Sequence, residues 1–420
     1  MFQRGDVVVT KGRDVYRDVD PKKEYVVINM SSGGGYHTVG AVDLGCGEKN
    51  AKIYTIYFKG VSREEVVVRT MEEGEFRDFV LSRGVVLKNT PYLLVGADPE
   101  VFLFSKGKVV PSWKVLPKKN AGQGVFWDGL QGEFTIDEPT YCHELFMDQV
   151  HYKLEKIVQR GKMYGYGDIG FDPKTTVVEM GEEILAEAAE EHLALGCMPS
   201  KNVYGLPGCE KVEGRDLKWR FSGCHLHYGT GVLGVEGQRE VIKTMDAITG
   251  VMITSMFEGY EDSIRRRYYG KAGEYRTPKH GIEWRVPSSV IMQHPGLMML
   301  VMDVNRLACR IGLWGGRERF WDVSEEETIG VIMEYDFKLA RKVLKRNVKG
   351  LERLLEICYS GGKITDKRTI SKALEVILLG VEKVCPQVME NAMENWYIGK
   401  SWNGCAGNTG CKWSSLAQNI

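Results

Sequence analysis

The first eighty positions carry short runs of β-branched and aromatic residues, VVVT, EYVVI, AKIYTIYF and EVVVR, separated by the polar and glycine clusters SSGGGYH and GCGEKN. Runs of this length, bounded by turn-forming residues, predict strands joined by tight connections. From about 92 to 300 the period changes repeatedly. Apolar positions fall at helical spacing over 141–160 and 181–195, CHLHYGTGVL alternates as a strand does, and a further helix is expected over 235–259. Residues 324–396 read as mainly helical, with a break in SGGKITDKR where Gly361 and Gly362 end one helix and Thr365 and Asp366 begin the next.

Strands linked by both hairpins and helices predict an α+β fold rather than a doubly wound parallel sheet. Three regions follow: a small β-rich, SH3-like or barrel-like module over 1–88, a core over 89–323, and a helical region over 324–420 with a Gly- and Cys-containing tail. A short helix is expected at 71–82. The glycines at 33–35 lack the Lys-Ser/Thr that follows a phosphate-binding loop, so they predict a hairpin tip.

A chain of 420 residues is too long for one ordinary core. Lys plus Arg and Asp plus Glu both number 56, for a net charge of +0, so no electrostatic footprint points to nucleic acid or an anionic membrane. No apolar signal core opens the sequence, and the apolar stretch at 296–307 is broken by Asp303, which predicts a soluble, unexported protein. The 10 cysteines are scattered without metal-site spacing, so reduced thiols are expected; Cys405 and Cys411 in NGCAGNTGC read as a loop with free thiols, with metal binding or pairing as the alternative.

Chemistry concentrates in three strand-like segments: GADPEVFLF at 96–104, GCHLHYG at 223–229 and GIEWRVPSS at 281–289. Residues two apart on a strand share a face, so Asp98 with Glu100, His225 with His227, and Glu283 with Arg285 each present two polar groups together. Two carboxylates on one face repel unless a cation or proton neutralises them, and oxygen ligands suit Mg²⁺ or Mn²⁺. The alternative for Asp98 and Glu100 is a solvated strand edge, with Pro99 blocking the ladder. Imidazoles at 225 and 227 suit a metal or a phosphate; equally, one is a buried hydrogen-bonded ring and the other exposed. Asp128 and Glu133 in WDGLQGEF form a second acidic group, although Asp-Gly is first a turn signal. In RRRYYGKAGEYRTPKHGIEWRVP, the cations Arg265, Arg266, Arg267, Lys271, Arg276 and Arg285 could converge on a triphosphate through forked hydrogen bonds. A surface-exposed basic loop is the competing reading.

These segments resemble a known family. The acidic-Pro-Glu strand, the Gly-x-His-x-His strand and the Glu-x-Arg strand occur in the order found in glutamine synthetases. More closely, GADPE, Lys114-x-x-Pro117, DGLQGEF, LGCMPSKNVYG, GCHLHYG and YGKAGEYRTPKHGIEWRVPSS are similar to the phage-type carboxylate-amine ligases, the amidoligases of type 2. The similarity spans about 92–300. It implies a glutamine synthetase-like catalytic domain whose curled, mainly antiparallel sheet encloses ATP and about two or three Mg²⁺ or Mn²⁺ ions. Asp98, Glu100, Asp128, Glu133, His225 and Glu283 would be metal ligands. Arg267, Lys271, Arg276 and Arg285 would face phosphates or the acyl phosphate, with Lys114 and His227 contacting nucleotide, and Glu283, Arg285, Arg276 and Glu133 would be the catalytic set. Asp98 departs from the glutamine synthetases, which carry Glu there.

The implied reaction is ATP-dependent amide formation between a carboxylate and an amine through an acyl phosphate, on a peptide, protein or cell-wall-type substrate. A guanidino- or amino-group kinase of the same fold and a non-catalytic adaptor are the alternatives. The infected bacterial cytoplasm is the location the resemblance implies. Oligomeric state stays open.

Overall fold

The computed structural model describes residues 6–10, 20, 22–33, 36–45, 53–59, 62–72, 75–76, 79, 93–119, 124–140, 143–193, 200–207, 217–230, 233–315, 317–319, 321–359 and 367–400. The helix expected at 71–82, the break at 360–366 and the cysteines 405 and 411 fall wholly or largely outside these residues. The chain divides into two compact units, Met1–Thr90 with Trp314–Gly316, and Pro91–Leu313 with Arg317–Ile420.

In the first unit, strands β1 (Asp6–Val9), β2 (Glu24–Gly33), β3 (Tyr36–Asp43), β4 (Ile53–Lys59) and β5 (Val67–Thr70) form one sheet in the order β4-β3-β2-β1-β5. All its pairings are antiparallel, and Gly33 stands opposite Tyr36. Val8, Tyr25, Val27, Val39, Ala41 and Ile56 bury one small core. Asp6, fully buried, is held by Arg63 Nε at 2.8 Å and Thr70 Oγ1 at 2.7 Å, which fastens β5 to β1. The barrel expected here does not close among the described residues: β4 and β5 remain the two edges of an open sheet, because each pairs on one side only.

The second unit is α+β. Its strands are β6 (Val95–Val101), β7 (Leu103–Ser105), β8 (Lys108–Val110), β9 (Val125–Asp128), β10 (Gln131–Phe134), β11 (Gly170–Phe171), β12 (Val177–Glu179), β13 (Lys201–Asn202), β14 (Trp219–Phe221), β15 (Cys224–Tyr228), β16 (Glu274–Arg276) and β17 (Ile282–Trp284). Seven of them form the main sheet, β13-β16-β17-β15-β6-β10-β9, and every neighbouring pair in it is antiparallel. The apolar alternates of the inner strands, Val95, Ala97, Val101, Cys224, Leu226, Tyr228, Ile282 and Trp284, are almost completely buried. Helical segments bond to this apolar face: Asn305 Nδ2, in the helix Pro295–Trp314, donates to the Tyr228 hydroxyl at 2.9 Å, and Trp284 Nε1 donates to Asp246 at 2.7 Å.

The helix expected over 235–259 is observed as Val235–Met245 and Val251–Met256 around a wider π turn, Asp246–Gly250. That turn carries Asp246, whose carboxylate ties Trp284 of β17 to the backbone N–H of Gly273. Burial pushes the Asp246 carboxyl up to about 7. After Ser324, which caps Glu325–Glu334 with its own hydroxyl and Glu327 in a reciprocal box, the chain runs through Phe337–Arg346, Val348–Tyr359 and Lys367–Leu379. No helix among the described residues is long and apolar enough to cross a membrane.

Entry into β17 depends on Gly281. Its φ is +148°, and a Cβ there would stand 2.2 Å from the carbonyl oxygen of Tyr228 and 2.6 Å from the N–H nitrogen of Thr230. Gly281→Ala is therefore expected to lose on the order of 2 kcal/mol of stability, measured by urea unfolding. Stability equal to that of the unsubstituted chain would refute the close β15–β17 approach.

Candidate active site

Alternation on the main sheet places a second, polar face opposite the apolar one. Register decides which of its residues meet. His225 is opposite Asp98, His227 opposite Glu283, Glu133 opposite Glu100 and Arg276 opposite Glu283. Five strands, β6, β10, β15, β16 and β17, thus converge on one surface. The solvated-edge alternative for Asp98 and Glu100 is excluded, since β6 lies between β15 and β10 and Glu100 is 5% exposed.

At one side of this face, Glu100, Asp128 and Glu133 each direct a carboxylate oxygen to within 4.8 Å of the others. Burial, with Asp128 nearby, pushes Glu100 up to about 7. Burial likewise raises Asp128, and burial with the charges of Asp128 and Glu100 raises Glu133 well above the carboxylate range. Against these three acids stands Lys119, whose Nζ is 3.2 Å from Glu133 Oε1 and 4.5 Å from the Phe126 ring centre. Desolvation would lower the Lys119 ammonium, but the charge of Glu133 and the bond to it hold it above its ordinary value. The charges of Lys119, Arg285, Arg276 and Arg220 favour the ionised form of Asp128 but do not offset its burial. An oxygen-only donor set of this kind fits a hard divalent cation such as Mg²⁺ or Mn²⁺.

The other side is an ion-pair network. Glu283 Oε1 accepts from Arg285 at 2.6 Å, lies 3.4 Å from Arg276 and 3.5 Å from His225 Nδ1. Arg285 also reaches Glu274 at 3.3 Å, and both of those side chains are 1% exposed. His225 is neutral, because burial and then the charge of Arg285 push its imidazole well below its ordinary range. Tyr269 joins the two sides: its hydroxyl bonds Glu100 Oε1 at 3.0 Å and also His225 Nε2. Toward the surface, His227 Nε2 is 2.9 Å from Asp98 Oδ2, and its Nδ1 is 3.1 Å from the exposed ring of His280. Burial alone would raise Asp98; the hydrogen bond and charge of His227, then Lys119 and Arg276, bring it below its ordinary value.

The structure therefore gathers Asp98, Glu100, Asp128, Glu133, His225, His227, Arg276, Glu283 and Arg285. Within this group Asp98 bonds His227, His225 bonds Tyr269 and Glu283 serves the arginines. Three other expected contacts point elsewhere. Lys114 pairs with Glu187, Lys271 Nζ donates to the Pro207 carbonyl at 2.6 Å, and Arg267 is on the exposed side of the helix Ser263–Tyr268. Arg265 and Arg266 are buried and bond backbone carbonyls, Arg265 those of Ser222, Val286 and Pro287, Arg266 that of Val286 at 2.6 Å. Sequence reasoning gave no role to Lys119, Glu274 or His280, and it left Tyr269 equally open as core or as pocket wall. Glu274 was legible, being two residues before Arg276 on a strand; Lys119 carries no local signal.

With the geometry in view, comparison with known families becomes informative. Residues 154–310 match the family described as Phage phiEco32-like COOH.NH2 ligase-type 2. This is the family that the motifs resemble, and the match supports a carboxylate-amine ligase in general. It includes β15, β16 and β17 with the histidines, Glu283 and both arginines. Asp98, Glu100, Asp128 and Glu133 precede the matched segment, yet β6 pairs directly with β15 inside it. No curated protein matches the chain.

Proposed function

We propose that this chain is an ATP-dependent carboxylate-amine ligase that forms an amide through an acyl phosphate, acting on a peptide, a protein or a cell-wall-type precursor. One observation carries the reading: within a sheet that includes the ligase-family segment, a buried group of three carboxylates faces an arginine–glutamate network across one polar surface. Clustered buried acids destabilise a chain that has no cation to bring to them, which argues against an inert adaptor.

Glu100, Asp128 and Glu133 would hold Mg²⁺ or Mn²⁺, with Asp98, His225 and Glu283 close by. Bound there, the cation would neutralise charge on the phosphates and ease approach of an anionic carboxylate. Arg276, half-buried at the edge of the network, offers a guanidinium to the transferring phosphoryl group, and Arg285 keeps Glu283 and Glu274 in place behind it. The carboxylate oxygen attacks the γ-phosphorus and ADP departs. The amine lone pair then attacks the acyl carbon, phosphate leaves, and one amine proton must be removed. The hydrogen-bonded line Asp98, His227, His280 ends on an exposed ring and offers that proton a way out.

Calorimetry with ATP and Mg²⁺, repeated with chelator, tests the reading. Binding that needs metal and is weakened at least tenfold by Glu100→Gln is expected. A folded protein that shows no metal-dependent nucleotide binding would end the proposal. Product analysis separates the related kinase chemistry, because a ligase frees inorganic phosphate whereas a kinase leaves it on the acceptor.

A further inference from the structure

Tyr269 follows the helix Ser263–Tyr268 and brings its phenol to the polar face of the main sheet, where it bonds Glu100 and His225. The residue is 5% exposed, and its ring packs with Leu217 and Phe221. The guanidinium carbons of Arg265 and Arg285 stand 5.0 and 5.2 Å from the ring centre. Arg265 is in turn locked to the carbonyls of Ser222, Val286 and Pro287, on the segments that flank the site. The ring is thus held by contacts that do not involve its hydroxyl, and the hydroxyl is left to make two bonds of its own, to Glu100 and His225.

Glu100 is consequently gripped on both oxygens. Oε2 accepts from the backbone N–H of Gly223 at 2.7 Å, and Oε1 accepts from Tyr269 at 3.0 Å. Room for this grip requires glycine at 223. A Cβ there would stand 3.0 Å from the Tyr269 ring edge, 3.1 Å from its hydroxyl and 3.1 Å from His225 Nε2. Repulsion from Asp128 and Glu133 would otherwise favour any rotamer of Glu100 that leaves the group. A carboxylate fixed against that repulsion is pre-organised toward a cation.

We propose that Tyr269 is a positioning residue: its hydroxyl fixes Glu100 for divalent-cation binding and couples that carboxylate to His225 and the Glu283–Arg285 network. This rests on the reading of Glu100, Asp128 and Glu133 as a metal site. The phenol touches no reacting atom and acts through the carboxylate and the imidazole.

The test is Mn²⁺ titration by calorimetry on the full chain at pH 8, with Tyr269→Phe against the unsubstituted protein. Phe keeps the ring, its packing and its place between the two guanidinium groups, so a merely structural role leaves Mn²⁺ affinity unchanged. Loss of the hydroxyl grip is expected to weaken Mn²⁺ tenfold to a hundredfold with little change in melting temperature. Should Tyr269→Phe fail to fold, Gly223→Ala displaces the same hydroxyl and is expected to weaken Mn²⁺ in the same range. Equal affinity in a folded variant overturns the positioning role alone. Absence of Mn²⁺ binding by the unsubstituted chain overturns the metal site and the positioning role with it.

Discussion

Glu283→Gln is expected to lower amine-dependent phosphate release from ATP by on the order of a thousandfold while leaving the chain folded. Glu283 is the point where three groups meet: Arg285 at 2.6 Å, Arg276 at 3.4 Å and His225 at 3.5 Å. Glutamine preserves the volume and one accepting oxygen, so β17 keeps its place between β15 and β16. What disappears is the charge that orients both guanidinium groups. Arg276, 23% exposed, then loses the charge that faces it at 3.4 Å. Arg285→Ala is a less discriminating change. That side chain is buried between Glu274 and Glu283, and its removal takes the shared guanidinium from both carboxylates, leaving Glu283 with Arg276 and Glu274 with the backbone N–H of Lys271, an effect of about 3–5 kcal/mol. Lost activity there would be confounded with lost fold. Thermal unfolding of both variants beside the assay separates the cases, and normal turnover by Glu283→Gln would sink the ligase assignment.

The residues that were legible in the sequence share one property: their chemistry repeats at strand period inside a single segment. Asp98 with Glu100 and Glu283 with Arg285 could be read because alternation alone puts such pairs on one face. The long helix His143–Met163 was likewise readable from local period, whereas the mainly antiparallel character of the central sheet came only as what the family resemblance implies. Register between strands was not. Nothing in CHLHY states that His225 meets Asp98 rather than Glu100, because that depends on where β6 and β15 begin their pairing. The basic stretch 265–285 shows the same limit from the other side. Counting cations in a turn-rich span finds the region, but helix phase then sends Arg265 and Arg266 inward to carbonyls and leaves Arg267 exposed. Lys271 is drawn to the Pro207 carbonyl by a contact 64 residues away in sequence. Tyr269 meets Glu100 across 169 positions of sequence, so its place in the motif beginning YGKAGEYR does not reveal which carboxylate its hydroxyl reaches.

The three clustered carboxylates are expected to cost the metal-free protein stability as pH rises from about 4.5 toward 7, whereas the buried imidazoles of His225 and His294, held below their ordinary range, contribute in the opposite direction. Below the ordinary carboxylate range Glu100 is protonated whether or not the chain is folded. As pH rises, the unfolded chain releases that proton first, near 4.5, whereas burial holds it on the native protein up to about 7. Across that interval the unfolded state binds fewer protons, so unfolding is favoured progressively, by on the order of 3 kcal/mol for Glu100 alone. Asp128 and Glu133, raised chiefly by the same burial, act in the same direction. Asp246 adds a similar slope from outside the site, beneath Trp284. Mg²⁺ separates the two sources. A cation held by the three carboxylates takes them in their ionised form, so its stabilising effect should grow with pH and cancel the share of the slope that belongs to the site, leaving that of Asp246. Glu100→Gln should be more stable than the unsubstituted protein at pH 8 without metal and should gain less from Mg²⁺. Melting temperatures from pH 5 to 8, with Mg²⁺ and with chelator, measure both effects. Stability of the unsubstituted chain that is indifferent to Mg²⁺ at pH 8, or a slope from pH 5 to 8 that Glu100→Gln leaves unchanged, would mean that Glu100, Asp128 and Glu133 do not form the cation site.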